Sequence, residues 1–411
     1  MNKKDILLVL CVVGAVFAVL GKGCGPDIDE VTDAVKSELA RIDQPPKLSD
    51  LKDIAREKGI TYEELSEILE KGSLLERGLR CLGEKRYDDA ARLFEEDAGL
   101  DKSDPGQSRF YLGNALYHKR EFQSAAEAFR QSADADPGFF YAWYNQGMAL
   151  NALGRYEDAA GRYRRAVKLR PDHAGTRYRW GVALNALGRY EEAIRKYQEA
   201  TNLSPDHADA MNNWGAALNA LGRYEEAMEK YQEAVKIRPG HVNAWTNWGV
   251  VLNRLGRYEE AAEKYQEAVK LKPDHADIWY NWGVLLNELG RYEEAIEKYQ
   301  EAVRYRADDS DAWNNWGVAL KNLGRYEEAV EKYREAIKRD PDDSDAWYNW
   351  GVVLNDVGRY GEAIEKYREA IKRDPNCMNA WANWGVALKN LGNYYEKALK
   401  EYREALGIGS L

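Results

Sequence analysis

With 411 residues, 45% of them hydrophobic and 31% charged, the chain is long enough for two or three ordinary domains and polar enough for a helix-rich soluble body. Its net charge of −10 is unevenly spread, with +2 on residues 1–26, −7 on residues 27–70 (13 acidic against six basic side chains) and −5 on the rest. An acidic chain with no basic stripe does not suit phosphate backbones, which excludes nucleic acid as a partner. Four scattered cysteines (Cys11, Cys24, Cys81, Cys377) form no CxxC pair, so neither a disulfide framework nor a metal site is read from them.

Residues 1–26 come first. Lys3 and Lys4 precede 15 uninterrupted apolar or small residues, 6–20. As helix this run spans roughly 22 Å against a hydrocarbon core of ~30 Å, which suits a signal-peptide core or a short membrane anchor. Positive charge before the run, and Asp27, Asp29 and Glu30 after it, keep the amino end cytoplasmic and put the rest on the extracytoplasmic side. Three fates stay open: an uncleaved anchor, a signal cleaved near Ala18, or a lipoprotein acylated on Cys24. The stretch LGKGC departs from the bacterial lipobox at Gly21 and Lys22.

Residues 27–70 read as an acidic helical linker or cap. Ile28, Val31, Val35, Leu39 and Ile42 trace one helical face that Pro45-Pro46 stops, Ser49 can cap a short helix, and Thr61 with Glu64 forms a capping-box start.

From residue 71 to 411 the chain repeats itself about ten times. Nine 34-residue copies begin at 106, 140, 174, 208, 242, 276, 310, 344 and 378, after a looser one at 71–105. In the copy from Ala276, Trp279, Trp282, Gly283 and Leu286 share one helical face, Leu289-Gly290 stops that helix, and Ala295, Tyr299, Ala302 and Val303 mark a second. Such a hairpin cannot bury its own apolar face, so neighbouring copies must stack. The two tryptophan slots, three residues apart, are expected in the core, with the adjacent glycine making room for the ring; an exposed aromatic platform is the alternative. Outer-face pairs such as Glu294 with Lys298 are expected at i, i+4.

The spacing Trp-x2-Trp-Gly…Leu-Gly-x-Tyr…Ala-x3-Tyr-x2-Ala…Pro resembles the tetratricopeptide repeat over residues 71–411, with first and last copies divergent. The family usually has Leu where this chain has Trp180, Trp214, Trp248, Trp282, Trp316, Trp350 and Trp384. The resemblance implies an all-α solenoid of helical hairpins, wound as a right-handed superhelix with the first helices lining the groove.

Chemistry is hard to find. His173, His207, His241 and His275 recur at one turn position, but stacked layers set them ~10 Å apart, too far for a shared metal with ligand bonds of ~2 Å. They read as turn residues near helix starts. Carboxylates lie on outer faces without a marked pair, and no nucleophile motif appears, so no enzyme, cofactor or metal is expected.

The strongest functional signal is a polar stripe opposite the tryptophans. Its second position is Asn145, Asn213, Asn247, Asn281, Asn315, Asn349 and Asn383, with Arg179 the exception. Arrays of the O-GlcNAc-transferase type within the resembled family carry a similar asparagine ladder that holds extended peptides by their backbones. One amide can donate to a peptide carbonyl and accept from an N–H. The alternative is a solvated face. Asp209, Asp277, Asp311 and Asp345 near the helix starts serve the helix dipole or favour neutral and basic segments. A second run, Asn151, Asn185, Asn219, Asn253, Asn287 and Asn355, is expected to bond helix-end carbonyls. The expected function is a binding scaffold for an unnamed protein or peptide, membrane-held through residues 6–20. Self-assembly into a homo-oligomer through the last copy, which lacks a polar cap, is the alternative.

Overall fold

A computed structural model of the chain describes residues 56, 73–100 and 105–405. The apolar run at 6–20, and residues 27–70 apart from Arg56, lie outside the described residues. Among the described residues there are 19 α-helices and no strand, and no helix is long and apolar enough to cross a membrane. The chain divides into two compact units, Met1–Leu203 and Ser204–Leu411.

The first unit contains four hairpins: α1 (Leu74–Gly83) with α2 (Tyr87–Asp97), α3 (Pro105–His118) with α4 (Phe122–Ala135), α5 (Phe140–Ala152) with α6 (Tyr156–Leu169), and α7 (Ala174–Ala186) with α8 (Tyr190–Leu203). The second continues with α9 (Ala208–Ala220) and α10 (Tyr224–Ile237), α11 (Val242–Arg254) and α12 (Tyr258–Leu271), α13 (Ala276–Glu288) and α14 (Tyr292–Tyr305), α15 (Ser310–Asn322) and α16 (Tyr326–Arg339), and α17 (Ser344–Asp356) and α18 (Tyr360–Arg373). It closes on α19 (Met378–Ala405).

Each turn has a local cause. In α13 the backbone N–H of Gly290 donates to the Asn287 carbonyl and that of Arg291 to the Leu286 carbonyl, with Gly290 at φ 71°. This is a helix stop that needs a left-handed residue, hence glycine. Seven copies obey it; in α1 and α3 the position falls to Lys85 and Arg120, at φ 62° and 63°. Arg291 then chelates Glu294 at 2.6 Å. The anticipated Glu294–Lys298 pair does not form, because Lys298 lies over the Trp282 ring, 4.7 Å from its centroid. An arginine fork suits a carboxylate three residues on, and the lysine stem covers apolar ring.

The core differs from the expectation in one respect. The largest fully buried side chains include Tyr163, Tyr197, Tyr231, Tyr265, Tyr299, Tyr333 and Tyr367 on the second helices. The first-helix glycines make room for these tyrosines and not for tryptophan. The indoles are half-buried. They stack in pairs along one helix, Trp279 on Trp282 at 5.9 Å and Trp313 on Trp316 at 5.3 Å, with a lysine ammonium against the second ring. The first ring of each pair donates its Nε1–H to the turn before it, as Trp279 does to the Pro273 carbonyl at 2.7 Å.

The last copy departs most. α19 is one 28-residue helix, not a hairpin. One residue is inserted after its turn glycine, giving Gly392-Asn-Tyr-Tyr-Glu-Lys-Ala where Gly324-Arg-Tyr-Glu-Glu-Ala stands two copies earlier. With the stop lost, no second helix packs back. Trp381, Val386, Leu388 and Tyr395 are 45–64% exposed, and Gly385 faces open space.

Candidate functional site

The asparagine stripe is built by the sixth residue of each copy, on the first helix of each hairpin. The structure gives it a partner column that sequence reasoning missed. Asn247 Nδ2 donates to Asn212 Oδ1 at 3.1 Å, Asn315 to Tyr280 Oη at 3.0 Å, Asn349 to Asn314 Oδ1 at 3.1 Å, and Asn383 to Tyr348 Oη at 2.9 Å. Each acceptor is the fifth residue of the preceding copy. Arg179 follows the same rule, bonding Tyr144. The only available signal was that the fifth position is itself polar or tyrosine: Tyr144, Tyr178, Asn212, Thr246, Tyr280, Asn314 and Tyr348.

The rest of the stripe is uneven. Asn281 makes no such bond among the described residues; Thr246, the fifth residue of the preceding copy, donates instead to the Val242 carbonyl. Asn213 accepts from Asn212 at 3.0 Å. Asn145 is only 3% exposed and gives its amide to Asn114 at 2.9 Å, so it presents little to a ligand. Burial pushes the Tyr280 hydroxyl up to about 12, with Asp311 and Asp309 adding to the shift. Tyr280 therefore keeps its proton and can be both donor and acceptor.

The second asparagine run does not bond helix-end carbonyls. The Oδ1 atoms of Asn151, Asn185, Asn219, Asn253, Asn287 and Asn355 are buried and find no donor among the described residues. Asn253 alone among them places its Nδ2, on Glu288 at 2.9 Å. A buried acceptor without a donor costs about 1–3 kcal/mol, a cost that a ligand N–H or a water would relieve.

The aspartates divide by what stands 29 residues on. Asp209 is met by Arg238 at 2.9 Å and His241 at 3.1 Å. Burial works against its charge, yet Arg238 holds its carboxyl below the usual range. Asp277 is met by Arg306 at 2.7 Å. For Asp311 and Asp345 that position carries Asp340 and Asp374. Burial, then Asp309, Asp345 and Asp340, push Asp311 above the usual carboxylate range, and burial with Asp345 and Asp311 does the same to Asp343. Arg306 also pairs with Asp309, the cap of α15, so the carboxylates here without an ion-pair partner among the described residues are Asp311 on α15 and Asp343 and Asp345 at the start of α17.

The recurrent histidines are helix caps. His173, His207 and His241 each accept a backbone N–H from three residues on through Nδ1, from Thr176 at 3.1 Å, Ala210 at 3.2 Å and Ala244 at 3.3 Å. Asp309 and Asp343 take over that role in later copies, while His275 caps nothing.

The tetratricopeptide repeat family (TPR_16) matches residues 75–138, 112–174, 144–207, 178–242, 246–312, 314–376 and 350–410. Curated proteins gave no match. Among solved structures, YrrB, described as a TPR protein with an unusual peptide-binding site, is 25% identical over 46% of this chain and 96% of its own, with a TM-score of 0.38. MamA is 25% identical over 39% of this chain and 95% of its own, again with a TM-score of 0.38. The APC/C hetero-tetramer Cut9–Hcn1 has a chain that aligns over 88% of this one and 73% of itself at 16% identity and a TM-score of 0.50, a likeness of fold.

Proposed function

The chain belongs to the tetratricopeptide repeat family, whose arrays are protein-interaction scaffolds, and we propose that this one is a non-catalytic holder of extended polypeptide segments along its asparagine rows. The observation that carries the reading is the pairing of the two rows. Sixth-position amides are fixed by the copy before, which pre-pays their ordering, while the second run offers buried acceptors lacking donors. Acceptors recurring once per copy can each take a single N–H group from an extended chain laid across them. The uncompensated carboxylates at Asp311, Asp343 and Asp345 favour segments bearing Lys or Arg there.

The test is a titration of Lys-containing extended peptides by calorimetry. Each lost neutral hydrogen bond weakens binding by about 0.5–1.5 kcal/mol. Changing Asn247, Asn281, Asn315 and Asn349 together to Ala should lower affinity by orders of magnitude at unchanged helicity, whereas Glu226, Glu260, Glu294 and Glu328 to Gln should change little. Affinity should also fall as pH drops through the raised range of Asp311 and Asp343, where their charge is lost. A peptide indifferent to the asparagines but sensitive to the glutamates would place the binding surface elsewhere.

The scaffold is proposed to lie on the extracytoplasmic side of a membrane, either tethered by residues 6–20 or by lipid on Cys24, or exported after cleavage of that segment. Fractionating cells that express the full chain or residues 27–411 tests this, and equal recovery in the soluble cytoplasm would end it. A second reading, self-association through α19, is favoured by its exposed Trp381, Val386 and Leu388.

A further inference from the structure

Seven copies place a tryptophan at the seventh residue, but the copy from Phe140 has Gln146 there. In two of those copies two cations approach the indole, whereas at Trp214, Trp248, Trp282 and Trp316 a single lysine does. Trp180 lies between Arg164, 5.7 Å from the ring centroid, and Lys196 at 4.5 Å; Trp350 lies between Arg334 at 5.2 Å and Lys366 at 4.3 Å. One cation comes from the second helix of the preceding copy, the other from the copy's own second helix. Counting back 34 residues from Arg164 and Lys196 gives Arg130 on α4 and Arg162 on α6. The pair of cations persists although the ring is gone.

A recess of about 150 Å³ occupies the place, lined by Ala126, Arg130, Gln146, Leu150, Arg155 and Arg162 among others. A cavity of about that volume is large enough for a benzene ring. Its polar groups are incompletely used. Gln146 is 3% exposed; its Nε2 donates to the Ala126 carbonyl at 3.4 Å, but its Oε1 is buried without a donor. Arg162 Nε is likewise buried without an acceptor, its guanidinium lying 5.6 Å from the Trp143 ring centroid, while Arg130 is tied to Glu127 at 2.6 Å and Asp134 at 2.7 Å and is half exposed.

We propose that this recess is a docking site for the indole side chain of a partner polypeptide, which enters between Arg130 and Arg162 and gives its N–H to Gln146 Oε1. The chain itself supplies the template, since Trp180 and Trp350 each have cations at the same two positions. An indole brings what the lining asks for: two π faces for the guanidinium groups and one N–H for the orphaned amide oxygen. The site is separate from the asparagine rows and does not depend on them.

Fluorine NMR of 5-fluoroindole and of N-acetyl-5-fluorotryptophanamide, titrated into the full chain, reads the recess without interference from the 13 native tryptophans. Both probes are expected to give saturable shifts, with the amide derivative binding at least as tightly. Gln146→Trp should abolish the shifts of both and raise the melting temperature, because it restores the side chain found in later copies. Gln146→Leu, a smaller change should the tryptophan fail to pack, should weaken binding at preserved helicity. Arg162→Ala should weaken it about two- to five-fold, the loss of one cation–π contact. Absence of any saturable shift, shifts that survive Gln146→Trp in a folded protein, or binding of free 5-fluoroindole with exclusion of the tryptophanamide would overturn the proposal.

Discussion

Gly283 and Tyr299 approach so closely that a β-carbon built on the glycine would lie 2.6 Å from the tyrosine Cε1. Contact at that distance forces the ring to shift, and Tyr299 is fully buried with nowhere to go. Gly283→Ala should therefore destabilise the array by about 1–3 kcal/mol despite the better helix propensity of alanine. Tyr299→Ala should cost about 3–5 kcal/mol through the cavity it leaves. Urea midpoints of the two variants check this; a neutral or stabilising Gly283→Ala would mean that the contact is looser than described.

Lys85 and Arg120 occupy turn positions held by glycine in seven later copies, at φ 62° and 63°. A residue with a β-carbon is strained there, by roughly 1 kcal/mol. Arg120→Gly should raise stability by about 0.5–1 kcal/mol, whereas Gly290→Ala should lower it by about 1 kcal/mol. Thermal melts would register the opposite signs.

Histidine caps make stability depend on pH. Burial lowers the pKa of His207 and His241 below the ordinary imidazole value, although Asp209 works the other way. A depressed folded-state pKa means that the unfolded chain binds the proton first. The caps thus contribute fully above about pH 6.5, the unfolded value, and their contribution is lost as pH falls through the lower folded values. Replacing both histidines with Asn, which caps without titrating, should flatten the melting temperature between pH 7 and 5. An unchanged slope would assign the pH dependence to other groups.

The straight α19 predicts association. Val386→Lys with Leu388→Lys should convert any dimer seen by sedimentation into monomer without loss of helicity. If the unaltered chain stays monomeric at all concentrations, self-assembly through this face is discarded.

Much of this architecture was readable from the chain because 34 residues recur with their punctuation intact: Leu289-Gly290 at the stop, Tyr292 at the restart and Ala295 and Tyr299 on the buried face. What failed were contacts between copies, for which a helical wheel has no information. Sequence proximity pairs Gly283 with the nearest ring, Trp282, whereas packing pairs it with Tyr299, 16 residues away. Lys298 was assigned to Glu294 by spacing, but Arg291 competes for the carboxylate with better geometry. The asparagine stripe was found by recurrence; its bonds to Asn212, Tyr280, Asn314 and Tyr348 depend on the copy before. The unbroken α19 coincides with one residue inserted after Gly392.

The stacked indoles of α11, α13, α15 and α17 have an optical consequence. Rings held nearly parallel, with centroids 5.3–5.9 Å apart and interplanar angles of 9–16°, couple their transition dipoles, and each such pair belongs to a single copy. The protein therefore carries four nearly parallel chromophore dimers, one per hairpin, besides the tilted Trp381–Trp384 pair of α19. Replacing three of these pairs and the tilted Trp381–Trp384 pair with Leu would leave the fourth as the remaining indole dimer, so that near-ultraviolet circular dichroism could follow the melting of one hairpin.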